Sequence, residues 1–461
     1  TYLAIDDAYS DWYFKKHGRE INRRWVLPVQ HSLQGHPESG KMWMKLIDKV
    51  LLDQLGFIST IHDRCIYRKE HKGKMILVLR QVDDFLIGCD DEDIAKKLTD
   101  EIGKKIQFKS EEEKGTLPIT YLGLVEDYNG VDIEQTSRKI KMSAKTYLQR
   151  FLQTHGWDTA SDGEIQDTSF KDCMKSSRPI SPLPPDCVDQ LFKQTGPKEG
   201  SPEALILEKK SGFVYRTVLG EVMYAYITAR PDIGYSVTTL SKFSSDPSAY
   251  HYKQLRHVAK YLRSTIGWGI EFTRPKPMSD LPTTEEHTDL PELDEEFPVN
   301  INEAVLKGFV DASHGTDFRK MRSITGLIFT FCGGAVVYRS KTQSLTAGSS
   351  TEAELIGAYT AGKIARYLRF ILKQLGFIQI GPTPIYIDNL SALKIINDNT
   401  PPTERTRHMD IRFFGLQDWR EDGDISMIHI KGTLNPADDE TKSLGWVLHA
   451  RHCRRSMGHY G

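Results

Sequence analysis

The sequence predicts a multidomain α/β protein, and three observations carry that expectation. Its 461 residues, at roughly 100–200 per domain, suffice for two to four domains with sizeable hydrophobic cores. Two Pro-rich stretches interrupt the apolar patterning: 156–212, with Pro179, Pro182, Pro184, Pro185, Pro197 and Pro202, and 274–306, with Pro275, Pro277, Pro282, Pro291 and Pro298. The three blocks between them differ in period. Block 1–155 holds strand-like runs, 213–273 has helical spacing, and 307–461 alternates the two.

In the first block, Met75–Leu79 and Phe85–Ile87 are short apolar runs flanking Asp83 and Asp84, the pattern of a hairpin with acids at its turn. Ile119–Val125 and Val131–Ile133 form a second strand pair around Tyr128-Asn129-Gly130. In the middle block, Val218, Val222 and Tyr226, then Leu255, Val258, Ala259 and Leu262, follow the i, i+3, i+4 spacing of buried helix faces. The last block reads βββαβα(α)βα. Gly308–Asp311 is a strand ending on an acid, and Ser323–Phe331 and Ala335–Ser340 are two more joined by Gly333-Gly334. A helix face runs from Leu355 to Leu375 and stops at Gly376. Pro384–Asp388 is again a strand ending on an acid, with a short helix from Ser391 and another marked by Met409, Phe413 and Leu416. Ile425–Ile430 is the last strand, and Asn435–Asp438 opens a final helix. A mixed α/β layer results. Both Pro-rich stretches read as linkers.

Composition excludes some classes and leaves others open. At 39% hydrophobic and 10% aromatic residues the chain is not disordered throughout. No run approaches the roughly 18–20 apolar residues of a membrane helix. Sixty-one Lys+Arg against 62 Asp+Glu give no overall support for a duplex binder, which is usually basic. The distribution is less even: no Lys or Arg lies between Met278 and Leu306, whereas 20 basic and 15 acidic residues follow from Lys307 on. An acidic tether thus precedes a mildly basic module. Cys65, Cys89, Cys173, Cys187, Cys332 and Cys453 form neither a CxxC pair nor a zinc spacing, so free thiols in a reducing compartment are expected. The start, Thr1-Tyr2-Leu3-Ala4, has no signal-peptide pattern and no Met, and reads as a fragment or a processed product.

Four acids of the last block stand at strand ends or helix starts: Asp311, Glu354, Asp388 and Asp438. Each has a structural explanation. Thr351-x-x-Glu354 fits a capping box, Asp388 could cap the next helix, Asp438 could favour a helix N-terminus, and Asp311 could be a turn residue. Together they suggest more. If Asp311 and Asp388 emerge from neighbouring strands at one sheet edge, with Glu354 and Asp438 entering from helices, the cluster needs cations to neutralise it. Mg²⁺ or Mn²⁺ is the natural choice. Two ions about 4 Å apart can activate water and stabilise the leaving oxygen of a phosphodiester.

The last block resembles the ribonuclease H domain of copia-type LTR-retrotransposon Pol polyproteins. The likeness rests on Val310-Asp311-Ala312-Ser313, Arg322-Ser323-Ile324-Thr325-Gly326, Ser340-Lys341-Thr342-Gln343-Ser344, Ser349-Ser350-Thr351-Glu352-Ala353-Glu354 and Tyr386-Ile387-Asp388-Asn389-Leu390-Ser391-Ala392. Arg405–Arg412 and Asn435-Pro436-Ala437-Asp438 with Thr441-Lys442 complete it. The resemblance implies that Asp311, Glu354, Asp388 and Asp438 are catalytic metal ligands, with Glu352 a surface or capping residue. Upstream, Leu33-Gln34-Gly35-His36-Pro37-Glu38-Ser39-Gly40-x-x-Trp43 is similar to a segment of the family's reverse transcriptases. Gln81-Val82-Asp83-Asp84 looks like their Tyr-Val-Asp-Asp box, making Asp83 and Asp84 polymerase metal ligands and Gln81 a contact of primer or template. Tyr121-Leu122-Gly123 matches their primer grip. Leu219-Gly220, Met223-Tyr224 and Thr228–Ile233 resemble their connection segment.

The implied architecture is an incomplete reverse-transcriptase palm and thumb (1–155), a Pro-rich linker (156–212), a helical connection (213–273), an acidic linker (274–306) and a ribonuclease H-like mixed α/β domain (307–461). The implied substrates are an RNA–DNA hybrid, an RNA template and a DNA primer, with the rest of a Pol polyprotein as partner. The implied location is a cytoplasmic virus-like particle, or the nucleus. Arg339, Lys341, Arg407 and Arg412 are candidate phosphate contacts, or else solvated surface charges. Gln81 and Gln34 each replace a Tyr of the family. The polymerase's third carboxylate would fall before Thr1, since Asp6 and Asp7 lie too close to Gly35 in a helical context, so the polymerase half is expected to be inactive in this chain. The rival reading is an inert nucleic-acid-binding remnant of a decayed or truncated element.

Overall fold

The computed structural model describes residues 2–4, 7–22, 24–28, 36, 38–106, 127–136, 138–159, 180–273, 304–317, 319–398 and 410–459. They belong to two compact units, Thr1–Pro118 and Ile119–Gly461.

In the first unit, β1 (Tyr2–Ala4) pairs with β2 (Val26–Pro28). A separate antiparallel sheet runs in order β3 (Ile58–Ser59), β4 (Ile66–His71), β5 (Lys74–Gln81) and β6 (Asp84–Gly88). Alternation along β5 buries Ile76, Val78 and Arg80. The two apolar residues join Tyr67 and side chains of α2 (Ser39–Asp48) and α3 (Glu92–Gly103) in one core with Ile47, Leu98 and Ile102. Asp91 caps α3 by accepting from the Ile94 N–H at 3.1 Å. An exposed helix, α1 (Asp7–His17), lies in the same unit.

Among the described residues the second unit contains two sheets. The smaller is antiparallel, with β7 (Asp127–Tyr128), β8 (Val131–Gln135), β9 (Lys139–Ser143) and β10 (Gly269–Thr273) in order 10-9-8-7. Its first hairpin turns at Asn129 and Gly130, both at positive φ. This sheet moves the boundary expected at residue 155. β9 pairs with β10 along its whole length, from Gly269↔Ser143 to Thr273↔Lys139, so β7–β9 belong with the middle helices. Leu148, Phe151 and Leu152 of α4 (Lys145–Thr154) follow them into the same core.

Part of the expected linker is also folded. It contains α5 (Val188–Lys193) and α6 (Pro202–Ser211), and Leu183, Cys187 and Leu191 are buried. The prolines misled because two of them, Pro185 and Pro202, start helical turns, where a missing N–H costs nothing. Residues 160–179, and 274–303 of the acidic stretch, lie outside the described residues. The middle block forms α7 (Tyr215–Ala229), α8 (Gly234–Ser241) and α9 (Ala249–Ser264), with α9 opened by a Ser248–His251 capping box.

The larger sheet orders its strands 13-12-11-14-15: β11 (Lys307–Asp317), β12 (Arg322–Phe331), β13 (Gly334–Thr342), β14 (Thr383–Ile387) and β15 (Ile425–His429). The first three are antiparallel, whereas β14 runs parallel to both β11 and β15. Helix α10 (Ser350–Gln374) covers one face. Its buried Ala353, Gly357, Ala358, Ala361 and Ala365 present small side chains to the core, and a Cβ on Gly357 would stand only 3.1 Å from Val310 Cγ2. α11 (Leu390–Asn397), α12 (Asp410–Glu421) and α13 (Trp446–Met457) complete the block.

Three details depart from expectation. β11 continues past Asp311 to Asp317, through an irregularity between Ser313 and Asp317, so Asp311 is mid-strand. The turn after β12 is Cys332-Gly333, both at positive φ, rather than Gly333-Gly334. Asn435–Asp438 opens a separate 3₁₀ turn, Pro436–Glu440, and the last helix starts later.

The last block is also not self-contained. Ile324, Cys453 and Met457 sit in the core of the middle helices. Among the described residues no helix is long and apolar enough to cross a membrane, and Cys65, Cys89, Cys187, Cys332 and Cys453 are free thiols.

Gly326 of β12 is the floor beneath the 3₁₀ turn. A Cβ there would stand 2.5 Å from the Ala437 carbonyl oxygen and 2.7 Å from Thr441 Cγ2. Gly326→Ala should therefore destabilise the second unit by about 1–3 kcal/mol, the usual range for overpacking. Urea unfolding measures this, and an unchanged midpoint would show that the turn is free to lift away.

Candidate active site

Four acids predicted to act together come from four different elements. Val310 pairs in parallel with Ile387, so Asp311, inside β11, and Asp388, just past the end of β14, stand at the same level. Glu354 projects from α10, just past its first turn, and Asp438 from the 3₁₀ turn. Ligand oxygens of Asp311, Glu354 and Asp388 all lie within 4.8 Å of one another. Asp438 is joined to them by Lys442, whose Nζ stands 3.0 Å from Asp438 Oδ1 and 3.4 Å from Asp311 Oδ2. The Thr441 hydroxyl donates to Asp311 Oδ2. Asp311, Glu354 and Asp438 are buried and Asp388 is half-buried.

The structural explanations for three of these acids do not hold. The α10 cap is Ser349, which accepts from the Glu352 N–H at 3.1 Å, while Glu352 Oε2 accepts from the Gly348 N–H at 2.7 Å. Glu354 is thus released from capping and accepts the Ala312 N–H at 3.1 Å. Asn389, not Asp388, caps α11. Asp311 is inside a strand rather than in a turn. Asp438 keeps its place in the first turn of a 3₁₀ helix that Asn435 caps.

Crowding buried carboxylates makes their charged forms costly. Burial first, then Asp311 and Asp388, pushes Glu354 up to about 9. Burial and the Asp311 carboxylate push Asp438 up to about 7. Asp388 is raised for the same two reasons. Burial works against the Lys442 ammonium, but Asp311 and Asp438 override it and hold the group charged. Glu354 Oε2 is buried without a hydrogen-bond partner among the described residues. An all-oxygen set with an unsatisfied acceptor fits a hard divalent cation such as Mg²⁺ or Mn²⁺. Asp311, Glu354, Asp388 and Asp438 are the residues that could hold it.

In the first unit, Gln81 pairs with Asp84 across a two-residue turn, Val82-Asp83, as the hairpin reading requires. Gln81, Asp83 and Asp84 are all exposed. Val82 has φ +56°, rare for a β-branched residue. Its carbonyl accepts from Trp43 Nε1 at 2.5 Å and from Arg80 at 3.1 Å, contacts that hold the turn from below. Among the described residues, no third ligand groups with Asp83 and Asp84.

Arg339 and Lys341 lie on edge strand β13, flanking Ser340, which is two strands from Asp311 and about 10 Å away. Lys341 is exposed and Arg339 half-buried. Tyr121 and Arg407, Leu33, Gln34, Gly35 and Pro37 of the upstream segment, and the side chain of Arg412 lie outside the described residues.

Sequence reasoning assigned no role to Lys442, although its i, i+4 spacing from Asp438 within one motif was a signal. It also passed over a second group, Asp439, His449 and Cys453, whose ligand atoms lie within 4.8 Å of one another. The i, i+4 spacing of His449 and Cys453 on α13 is its trace in the sequence. Here hydrogen bonds account for the arrangement. His449 Nδ1 is 2.7 Å from Asp439 Oδ1 and Nε2 is 2.9 Å from the Tyr261 hydroxyl, which donates to Asp232 at 2.7 Å. Arg230 completes the network through a buried bidentate contact with Asp232, Nε donating to Oδ1 at 2.9 Å and Nη2 to Oδ2 at 2.6 Å.

The raised carboxylates set a sign for stability against pH. Glu354 ordinarily titrates near 4.5, so between there and about 9 the folded state binds more protons than the unfolded state. Stability contributed by this group is present at low pH and lost as pH rises. The metal-free chain should melt at a lower temperature at about pH 9 than at about pH 5, with a shallower decline for Glu354→Gln. Mg²⁺ or Mn²⁺ should raise the melting temperature more at the higher pH, where fewer protons on Glu354 and Asp438 have to be displaced. Equal stabilisation at both pH values would exclude binding through these carboxylates.

Residues 4–165 match the family described as reverse transcriptase (RNA-dependent DNA polymerase). The chain is 28% identical over 427 residues, 91% of its length, to the retrovirus-related Pol polyprotein from transposon TNT 1-94 of Nicotiana tabacum. It is 22% identical, again over 91% of its length, to the retrovirus-related Pol polyprotein from transposon RE1 of Arabidopsis thaliana. It spans about a quarter of the length of these relatives, 27% and 24%. Among solved structures, a ribonuclease H1 isolated from compost aligns with 12% identity over 30% of this chain and 94% of its own, but a TM-score of 0.24 carries no argument about the fold. Similarity along 91% of this chain to these polyproteins and the reverse-transcriptase match over its first third agree with the motifs, and the chain is related to copia-type retrotransposon Pol polyproteins.

Proposed function

We propose that the second unit hydrolyses the RNA strand of RNA–DNA hybrids by a two-metal mechanism, as a ribonuclease H. One observation carries this reading: carboxylate oxygens of Asp311, Glu354 and Asp388, from three elements distant in sequence, converge within 4.8 Å. The 13-12-11-14-15 mixed sheet, with α10 across one face, is the scaffold such a ribonuclease H-like domain would need.

Bound Mg²⁺ or Mn²⁺ would activate a water and stabilise the leaving oxygen of the scissile phosphodiester. The protein's part is to hold the ligands in place. Asp311 is fixed by its pairing with Gly326 of β12, by the β11–β14 pairing that reaches Val310 beside it, and by the Thr441 hydroxyl. Glu354 is oriented by the Ala312 N–H, leaving its other oxygen for a cation. Lys442 neutralises Asp311 and Asp438 and lowers the cost of burying them. Hybrid would be recognised through backbone geometry and the RNA 2′-OH, with Arg339 and Lys341 as phosphate contacts. An RNA template, a DNA primer and the rest of a Pol polyprotein are the further partners of this reading. The Asp83-Asp84 hairpin belongs to the polymerase half, which we propose is inactive in this chain, because no third carboxylate among the described residues joins that pair.

The chain should cleave RNA in a labelled hybrid when Mg²⁺ or Mn²⁺ is present and fail to extend a primer on an RNA template. Asp388→Asn keeps the shape and removes a charge, and should lower cleavage by more than about 100-fold, beyond the effect of losing a supporting residue. Circular dichroism should be unchanged. Cleavage surviving Asp388→Asn would refute the metal assignment, and robust primer extension would refute inactivity of the polymerase half. A folded parent chain that cleaves nothing would support the inert remnant instead.

A further inference from the structure

Helix α9 has two unlike faces. Tyr252, Leu255, Val258, Tyr261 and Leu262 face the core. Lys253, Arg256, Lys260 and Arg263 recur at helical spacing on the other side, where the first three are exposed and Arg263 is half-buried. No Asp or Glu occurs between Ala249 and Ser264. A merely solvated face gains from opposite charges at i, i+4, whereas like charges at this spacing repel and weaken the helix. The arrangement is therefore one that a polyanion would relieve.

The cations also border a built cavity. Arg256, Lys260 and Arg263, with Gly156, Trp157 and Thr159, line an open pocket of about 290 Å³. Two of them are positioned by the protein. The Arg256 guanidinium sits 5.2 Å from the centre of the Trp157 ring. That ring is held by edge contacts with Phe151 and Phe213 and by stacking on His155. Arg263 donates to the carbonyl oxygens of Trp157 and Thr159 at 3.2 and 2.8 Å. Asp158, which is exposed, interacts electrostatically with this guanidinium. The indole is already engaged by Arg256 and His155, so the pocket offers charge rather than a stacking platform for a base.

We infer that this flank of α9 is a phosphate-backbone site for nucleic acid, separate from the carboxylate cluster, with Arg256, Lys260 and Arg263 as its contacts. Four cations along one helix suit a row of phosphates better than a single small anion. The inference rests on the reading of the chain as a nucleic-acid enzyme, but it concerns binding and not cleavage.

The test keeps the two apart by measuring affinity without divalent cations, using fluorescence anisotropy of a labelled RNA–DNA hybrid and the full chain at several salt concentrations. Each phosphate contact contributes about 0.7–0.9 to the slope of log affinity against log salt. Arg256→Gln with Lys260→Gln should reduce that slope by about 1.4–1.8 and weaken binding at least tenfold at low salt. Lys260→Arg should leave both unchanged. An unaltered slope in the folded double variant would overturn the proposal. So would a parent chain that binds no nucleic acid, or displacement of the hybrid by inorganic phosphate at constant ionic strength, which would mark a small-anion site. Loss of cleavage with binding intact would count against the nuclease reading alone.

Discussion

The repulsion among buried carboxylates is the constraint around which the second unit is arranged. Asp311, Glu354 and Asp388 bring their oxygens within 4.8 Å of one another with little solvent to screen them. Such a group raises its own proton affinities unless positive charge enters. Lys442 supplies part of that charge, touching Asp311 and Asp438 but accounting for neither Glu354 Oε2 nor the whole cluster. The scaffold has to work against this deficit. Two strands, an alanine-rich helix and a 3₁₀ turn packed on a glycine hold four acids in positions they would otherwise leave.

Much of this was legible in the sequence because local pattern and site chemistry agree in the last block. Asp311 and Asp388 follow apolar strand runs, and β11 and β14 are parallel neighbours, so two residues far apart in sequence arrive together. The Asp83 hairpin was legible for a similar reason, since alternating runs around two acids leave only a short turn. What the sequence concealed were partners of capping. Thr351-x-x-Glu354 and Ser349-x-x-Glu352 are equally good cap patterns, and only packing of α10 against β11 decides that Ser349 is the cap and Glu354 the buried acid. The extent of β11 beyond Asp311 was hidden too, because Ala312–Asp317 lacks an apolar run and is kept in the strand by pairing with β12.

Domain boundaries were the least legible feature, and proline is the reason. A Pro-rich stretch reads as a linker when each proline is taken as a breaker, yet Pro185 and Pro202 start helical turns here. Between them Cys187 and Leu191 are buried, and helix α4 and strands β7–β9 leave the first block to join the middle helices. A strand finds its partner through register and edge hydrogen bonds, neither of which local composition records.

The same packing makes the middle helices part of the candidate active site's support. Asp438, Asp439 and Glu440 are consecutive, but they serve different neighbours. Asp438 meets Lys442 at the carboxylate cluster, Asp439 meets His449, and Glu440 Oε2 accepts from the Tyr226 hydroxyl of α7 at 3.2 Å. His449 reaches Tyr261 of α9, which reaches the buried Asp232–Arg230 pair. Burial works against the Asp232 carboxylate, and the Arg230 guanidinium overrides it and lowers its proton affinity. Removing one member of such a network leaves an uncompensated charge in the core, typically costing about 3–5 kcal/mol. The turn that presents Asp438 is thus anchored from behind by residues more than 170 positions earlier in the chain. The last block supplies all four acids, but the position of the fourth depends on α7 and α9, so the sheet domain cannot be cut away from the helices without disturbing the cluster.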